Sequence, residues 1–210
     1  MRKPVSAAVL MLSSAVLAVV VTASSALATT AGTWSVHPGG SITGAAGTTV
    51  IKDTTANVAA TCTSANLTGT LKSGSGLPGA GLGTVTSMNF NNCTAAGQTV
   101  SISSGTVAWP LNALKYNSTS GVTHGTITGI HIAVSNSVCS FVIDGTSGTA
   151  HNGLVKITYA NGTHKLKVLA KGDNLHVWNV SGCFGLLSNG DAGMVTSTFA
   201  VSPSQTITSP

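Results

Sequence analysis

A chain of 210 residues with 42% hydrophobic and only 6% charged residues is too apolar along its length for a disordered tail and long enough to bury a sizeable core. Beyond residue 28 it contains no arginine and no glutamate, and seven lysines stand against four aspartates, a net charge of +3 with histidines neutral. Without guanidinium forks for phosphates or guanine edges, and with mostly isolated lysines, the composition argues against nucleic-acid binding.

The chain opens MRKPVSAAVLMLSSAVLAVVVTASSALA, two cations ahead of an apolar stretch that ends in Ala26-Leu27-Ala28, a small-x-small cleavage pattern. The expectation is a signal peptide over 1–28 and a secreted domain over 29–210. The apolar run is long for a signal peptide, so a retained anchor is the alternative. No later stretch is apolar for long enough to cross a bilayer.

After the leader, TWSV is the first short alternating run, followed by the turn signal His37-Pro38-Gly39-Gly40. Residues 72–83 carry GSGLPGAGLG and read as a mobile loop with no following helix to receive a phosphate. QTVSIS alternates through Val100 and Ile102, and TGIHIAV through Ile130, Ile132 and Val134. VKITY places Val155, Ile157 and Tyr159 on one face, and HKLKVL does the same with Leu166 and Val168. Between them Asn161-Gly162 supplies the positive φ of a two-residue hairpin turn. NLHVWNVSGC is apolar on both faces, as in a strand in the middle of a sheet packed on both sides, and MVTSTFAV alternates again. No stretch combines helical periodicity with a cap. The fold class is all-β, an antiparallel β-sandwich of roughly ten or more short strands.

Cys62, Cys93, Cys139 and Cys183 are an even set in a chain expected to be exported, so disulfides are the default and three pairings are open. Spacing favours a sequential arrangement. TCTSANLTGTL with TSMNFNNC, and VCSFVIDGTSGTA with LHVWNVSGC, repeat one device: a cysteine opening a strand, then Asn-x-x-Cys after an apolar strand. The bridges expected are Cys62 to Cys93 and Cys139 to Cys183, within two similar halves near 33–108 and 122–202. Cys183 is thereby a staple and not a reactive thiol beside His176.

Equipment for catalysis is sparse. Asp53, Asp144, Asp173 and Asp191 sit in turn-like contexts, and nothing in their spacing brings two together across a sugar. The histidines at 37, 124, 131, 151, 164 and 176 form no metal-binding motif, and no G-x-S-x-G elbow or phosphate loop occurs. No catalytic residue, cofactor or metal site is assigned. One segment is a candidate binding loop: WPLNALKYNSTSG, where Trp109 and Tyr116 in a non-alternating stretch could show aromatic faces to a saccharide or a partner.

The stretches AGTWSVHPGGSITG, WPLNALKYNSTSGVTHGTITGI and LHVWNVSGC resemble small exported actinobacterial proteins of unknown function. The resemblance implies export and a β-rich fold, and it carries no site residue across.

The reading is a secreted, disulfide-stapled, non-enzymatic protein of the cell surface or medium with a structural or binding role. Its partners are expected in cell-envelope polysaccharide or protein, not nucleic acid. A carbohydrate-binding module needs an exposed aromatic pair among Trp34, Trp109, Tyr116 and Trp178. An extracellular hydrolase needs His124, His151 or His164 clustered with an aspartate in a cleft. A pore-forming barrel would need long outward-apolar strands with aromatic girdles, unlike the short lysine-bearing strands here.

Overall fold

The computed structural model describes residues 33–105 and 108–210, so the expected signal peptide over 1–28 lies outside the described residues. These residues form β1 (Trp34–His37), β2 (Gly40–Ala46), β3 (Thr49–Asp53), β4 (Val58–Leu71), β5 (Gly74–Leu77), β6 (Gly83–Ala95), β7 (Gln98–Ser103) and β8 (Trp109–Asn117). The second half adds β9 (Val122–Ile130), β10 (Ile132–Ser135), β11 (Cys139–Asp144), β12 (Gly153–Ala160), β13 (Lys165–Val168), β14 (His176–Gly182), β15 (Gly193–Ser202) and β16 (Thr206–Thr208). The chain is all-β with antiparallel pairing throughout, as its alternation predicts.

The architecture departs from a sandwich. Eight strands close on themselves in the order β6-β8-β9-β12-β13-β15-β2-β4, with β4 pairing back to β6. Closure removes the sheet edges that a sandwich leaves open. β2 and β3 act as one bent strand, paired with β4 in unbroken register from Gly40↔Leu71 to Asp53↔Val58. Slips at Thr68/Gly69 opposite β6 and at Ala113/Lys115 opposite β9 supply the local bends that closure needs.

The interior of the ring is filled by Leu67, Val85, Ile127, Ile157, Leu166 and Phe199, all buried. Inward Val155, Ile157 and Tyr159 of β12 alternate with outward Lys156 and Thr158, which is why an alternating strand has one side in the core and the other in water. A small sheet, β16-β1-β5, lies over one end of the ring. Tyr159 and Asn161 fasten it there: Tyr159 Oη donates to the Gln205 carbonyl at 2.9 Å, and the Asn161 amide bonds both the N–H and the carbonyl of Ile207 at 2.9 Å. That second duty of Asn161 fits a longer hairpin than Asn-Gly predicts. β12 and β13 are joined by four residues, 161–164, with His164 taking the positive φ.

The outer part of β6 carries a side sheet, β7, β10, β11 and β14 in that order. β14 ends this order and is not a central strand. Its free side is met by the chain leading into β15, through a bridge from His176 to Ala192 and a hydrogen bond from Gly193 N–H to the Leu175 carbonyl at 2.8 Å. The side sheet thus returns to β15, whose first residues pair with β3, and β3, β4 and β6 become a wall common to two apolar interiors.

Both expected disulfides are present, Cys62–Cys93 and Cys139–Cys183. Cys62 and Cys93 are directly opposed on β4 and β6. Cys139 starts β11, and Cys183 follows β14.

Candidate functional site

The segment expected to be a binding loop is a strand. Residues 109–117 form β8, with Trp109, Leu111 and Ala113 turned into the barrel, and Trp109 is buried. The slip between Ala113 and Lys115 hides the alternation from the sequence and leaves Leu114 exposed. Tyr116 is half-buried against the core. Trp34 is also buried, and Trp178 is half-buried with its Nε1 donating to the Gly145 carbonyl at 3.0 Å. These four aromatics therefore form no exposed flat pair. The glycine-rich 72–83 stretch is likewise fastened and not loose: Gly79 accepts from Ala113 N–H at 2.9 Å, and Gly81 N–H donates to Asn112 Oδ1 at 2.8 Å.

A different feature stands out. Inside the side sheet, a cavity of about 130 Å³ is lined by Ile51, Ala60, Val100, Val134, Phe141 and Leu187 among others. At its mouth lie Val138, Phe184 and Leu186, exposed by 48%, 82% and 58%. They are three of the four large apolar side chains exposed among the described residues.

The chain presents Phe184 at a conformational cost. Gly182, Cys183, Phe184 and Gly185 all have positive φ, at 72°, 62°, 51° and 72°. Two of these carry a Cβ, each costing roughly 1–2 kcal/mol in the left-handed region. The Cys139–Cys183 bridge holds the turn, together with hydrogen bonds from Cys183 N–H to the Val138 carbonyl (3.1 Å) and from Leu186 N–H to the Cys183 carbonyl (2.9 Å). Asn136 shapes the other lip, its Oδ1 accepting from the N–H groups of Val138 and Cys139. Sequence reasoning missed this site. The clue was Gly182-Cys183-Phe184-Gly185, an aromatic between glycines beside a staple.

Polar chemistry gathers in two other places. Asp53 lines the cavity and is buried. Its Oδ1 accepts from Thr55 and Ala56 N–H groups at 2.8 Å each, whereas its Oδ2 has no donor among the described residues. The Asp191 carboxyl is close enough to share a hydrogen bond once one of the two is protonated. Burial, and then the neighbouring Asp191, push Asp53 above the ordinary carboxylate value. Asp53 and Asp191 are thus neighbours, a proximity that their spacing in the sequence does not signal.

Asp144 is fully buried. Its Oδ2 accepts from His131 Nδ1 at 2.9 Å and His151 N–H at 3.0 Å, and its Oδ1 from Gly145 and Asn152 N–H groups at 2.6 and 3.1 Å. Burial works against its charge, but the His131 bond and the three backbone donors outweigh it and hold Asp144 below the ordinary carboxylate value. The His151 ring stacks on His131 with centroids 4.0 Å apart. Among the described residues no three His, Cys, Asp or Glu side chains are grouped to hold a metal ion, and no helix is long and apolar enough to cross a membrane.

Compared with protein-family models, with curated proteins and with solved structures, the chain matches none.

Proposed function

We propose that this chain is a secreted, non-enzymatic binding protein whose apolar cavity receives one apolar side chain of a partner protein. The observation that carries the reading is the crosslinked turn at 182–185, which holds Phe184 in water at the rim of an apolar cavity. A monomeric protein gains nothing in stability from such a residue, and an apolar anchor entering a pocket is the usual centre of a protein interface. Size supports a side chain over a lipid: an engineered cavity of about 150 Å³ accommodates benzene, so about 130 Å³ is too small for a long acyl chain. Export is supported by the leader sequence and by the two disulfides. The barrel is apolar inside with lysines and threonines outside, the inverse of a bilayer-spanning barrel.

Toluene tests the site by standing in for the inserted side chain. In an NMR titration, saturable shifts of the Val100 and Val134 methyls are expected, absent in an Ala95→Leu variant and weakened in Phe184→Ser/Leu186→Ser. Shifts of equal size in all three proteins would refute the assignment.

A second reading, an extracellular hydrolase, is favoured by one observation: the His131 ring bonds Asp144, and the His151 ring stacks on His131 while its backbone N–H donates to the same carboxylate. With the carboxylate accepting, Nδ1 of His131 carries the proton and Nε2 is left as a base. The ring makes no other hydrogen bond among the described residues, so its substrate would be attacked by water. Loss of p-nitrophenyl acetate turnover in a folded His131→Gln variant would favour this reading.

A further inference from the structure

Among the described residues no acidic side chain is fully exposed, whereas most lysines are. Asp144 and Asp53 are buried and Asp173, Asp191 and Lys52 half-buried, while Lys72, Lys115, Lys156, Lys165, Lys167 and Lys171 are exposed. Among the described residues no lysine is in an ion pair; the single pair is His131 with Asp144.

Strand register assembles the cations on one face. Lys115 of β8 opposes His124 of β9, His124 opposes Thr158 of β12, Thr158 opposes Lys167 of β13, and Lys167 opposes Thr198 of β15. This row runs straight across the outside of the barrel. Adjacent strands are about 4.8 Å apart, so Lys115 and Lys167 lie roughly 14 Å apart. Lys156 and Lys165 sit two residues from the row on β12 and β13, about 7 Å along each strand. Lys171 follows β13 in the loop whose Gly172 lies against the Lys156 ammonium. The face has no aspartate on β8, β9, β12 or β13.

We infer that this face binds a linear acidic polysaccharide bearing carboxylate or phosphate groups. Four like charges held on the strands without an aspartate among them, with Lys171 in the loop beyond, repel one another, and a polyanion lying along the row relieves that repulsion while releasing its own counterions. Thr158 and Thr198 flank Lys167 in the row and offer hydroxyls to sugar oxygens. A nucleic acid fits less well: the chain beyond residue 28 has no arginine, and none of the three tryptophans is exposed to stack a base.

Alginate serves as the probe, titrated against the mature protein at 50 mM and at 500 mM salt. Binding is expected at the lower salt and lost at the higher. Lys156→Gln/Lys167→Gln is expected to weaken it roughly thirty-fold, about a factor of five per lysine at an anionic surface. Lys72→Gln, at the end of β4, is expected to leave it within two-fold, and Phe184→Ser likewise, which separates this surface from the cavity. Thermal melts of all variants check that each is folded. Absence of alginate binding, retention in the double variant, insensitivity to salt, or equal affinity for single-stranded DNA would each overturn the inference.

Discussion

Asp144 and His131 meet at 2.9 Å, a carboxylate with no solvent exposure joined to an imidazole at the surface. All four acceptor positions of Asp144 are used, and three of its donors come from the 145–152 loop. Asp144→Ala would strand those N–H groups and is expected to cost roughly 3 kcal/mol in chemical denaturation. The folded protein binds this proton less readily than the unfolded chain. The stabilisation is therefore full above the unfolded value of about 4 and disappears as pH falls through the lower folded value. An acid-unfolding curve steeper in the wild type than in Asp144→Ala would bear this out, and parallel curves would not.

Asp53 has the opposite sign. Its folded value is raised, so its contribution is present below the unfolded value and is lost as pH rises through the raised one. Asp53→Asn keeps Oδ1 for Thr55 and Ala56 and can donate from its amide to Asp191. It is expected to raise stability at pH 7 by roughly 1 kcal/mol and to change little at pH 3. A lower urea midpoint at pH 7 would contradict this.

The disulfides differ in what they hold. Replacing Cys62 and Cys93 by alanine opens a separation of 31 residues and is expected to cost roughly 3–4 kcal/mol, with toluene binding kept in the folded fraction. Replacing Cys139 and Cys183, separated by 44 residues, is expected to cost a similar amount and to weaken toluene binding as Phe184→Ser/Leu186→Ser does, because the Phe184 turn relaxes. Equal effects on binding from the two pairs would deny the turn its role.

Trp109 and Phe184 separate core from surface. Trp109→Ala, buried inside the barrel, is expected to destabilise by about 3–5 kcal/mol. Phe184→Ser, at 82% exposure, is expected to stay within about 0.5 kcal/mol of wild type. Calorimetry of the two variants distinguishes them.

Where side-chain period alone decides, the sequence was readable: β12 and β13 lie where Val155-Ile157-Tyr159 and Leu166-Val168 predict, and the cysteine spacing anticipated both bridges. Closure was not readable, because it depends on single-residue slips such as that between Ala113 and Lys115, which shift register without changing composition. The same slip disguised β8 as a loop. The Asp144 cluster joins residues 13 and 7 positions apart through a folded-back loop, and Asp53 meets Asp191 only because β3 pairs with β15. The cavity mouth required knowing that Phe184 is exposed on a turn of four positive-φ residues, which residue types alone do not reveal.

The long antiparallel pair β4 and β6, crosslinked at Cys62–Cys93, is the partition on which both interiors lean. Neither lobe can be excised as a stand-alone fragment, since either cut would bare a row of unsatisfied amides and carbonyls and invite polymerisation along that margin. The molecule should consequently melt in one cooperative step, with the pocket and the lysine-bearing barrel surviving or perishing together.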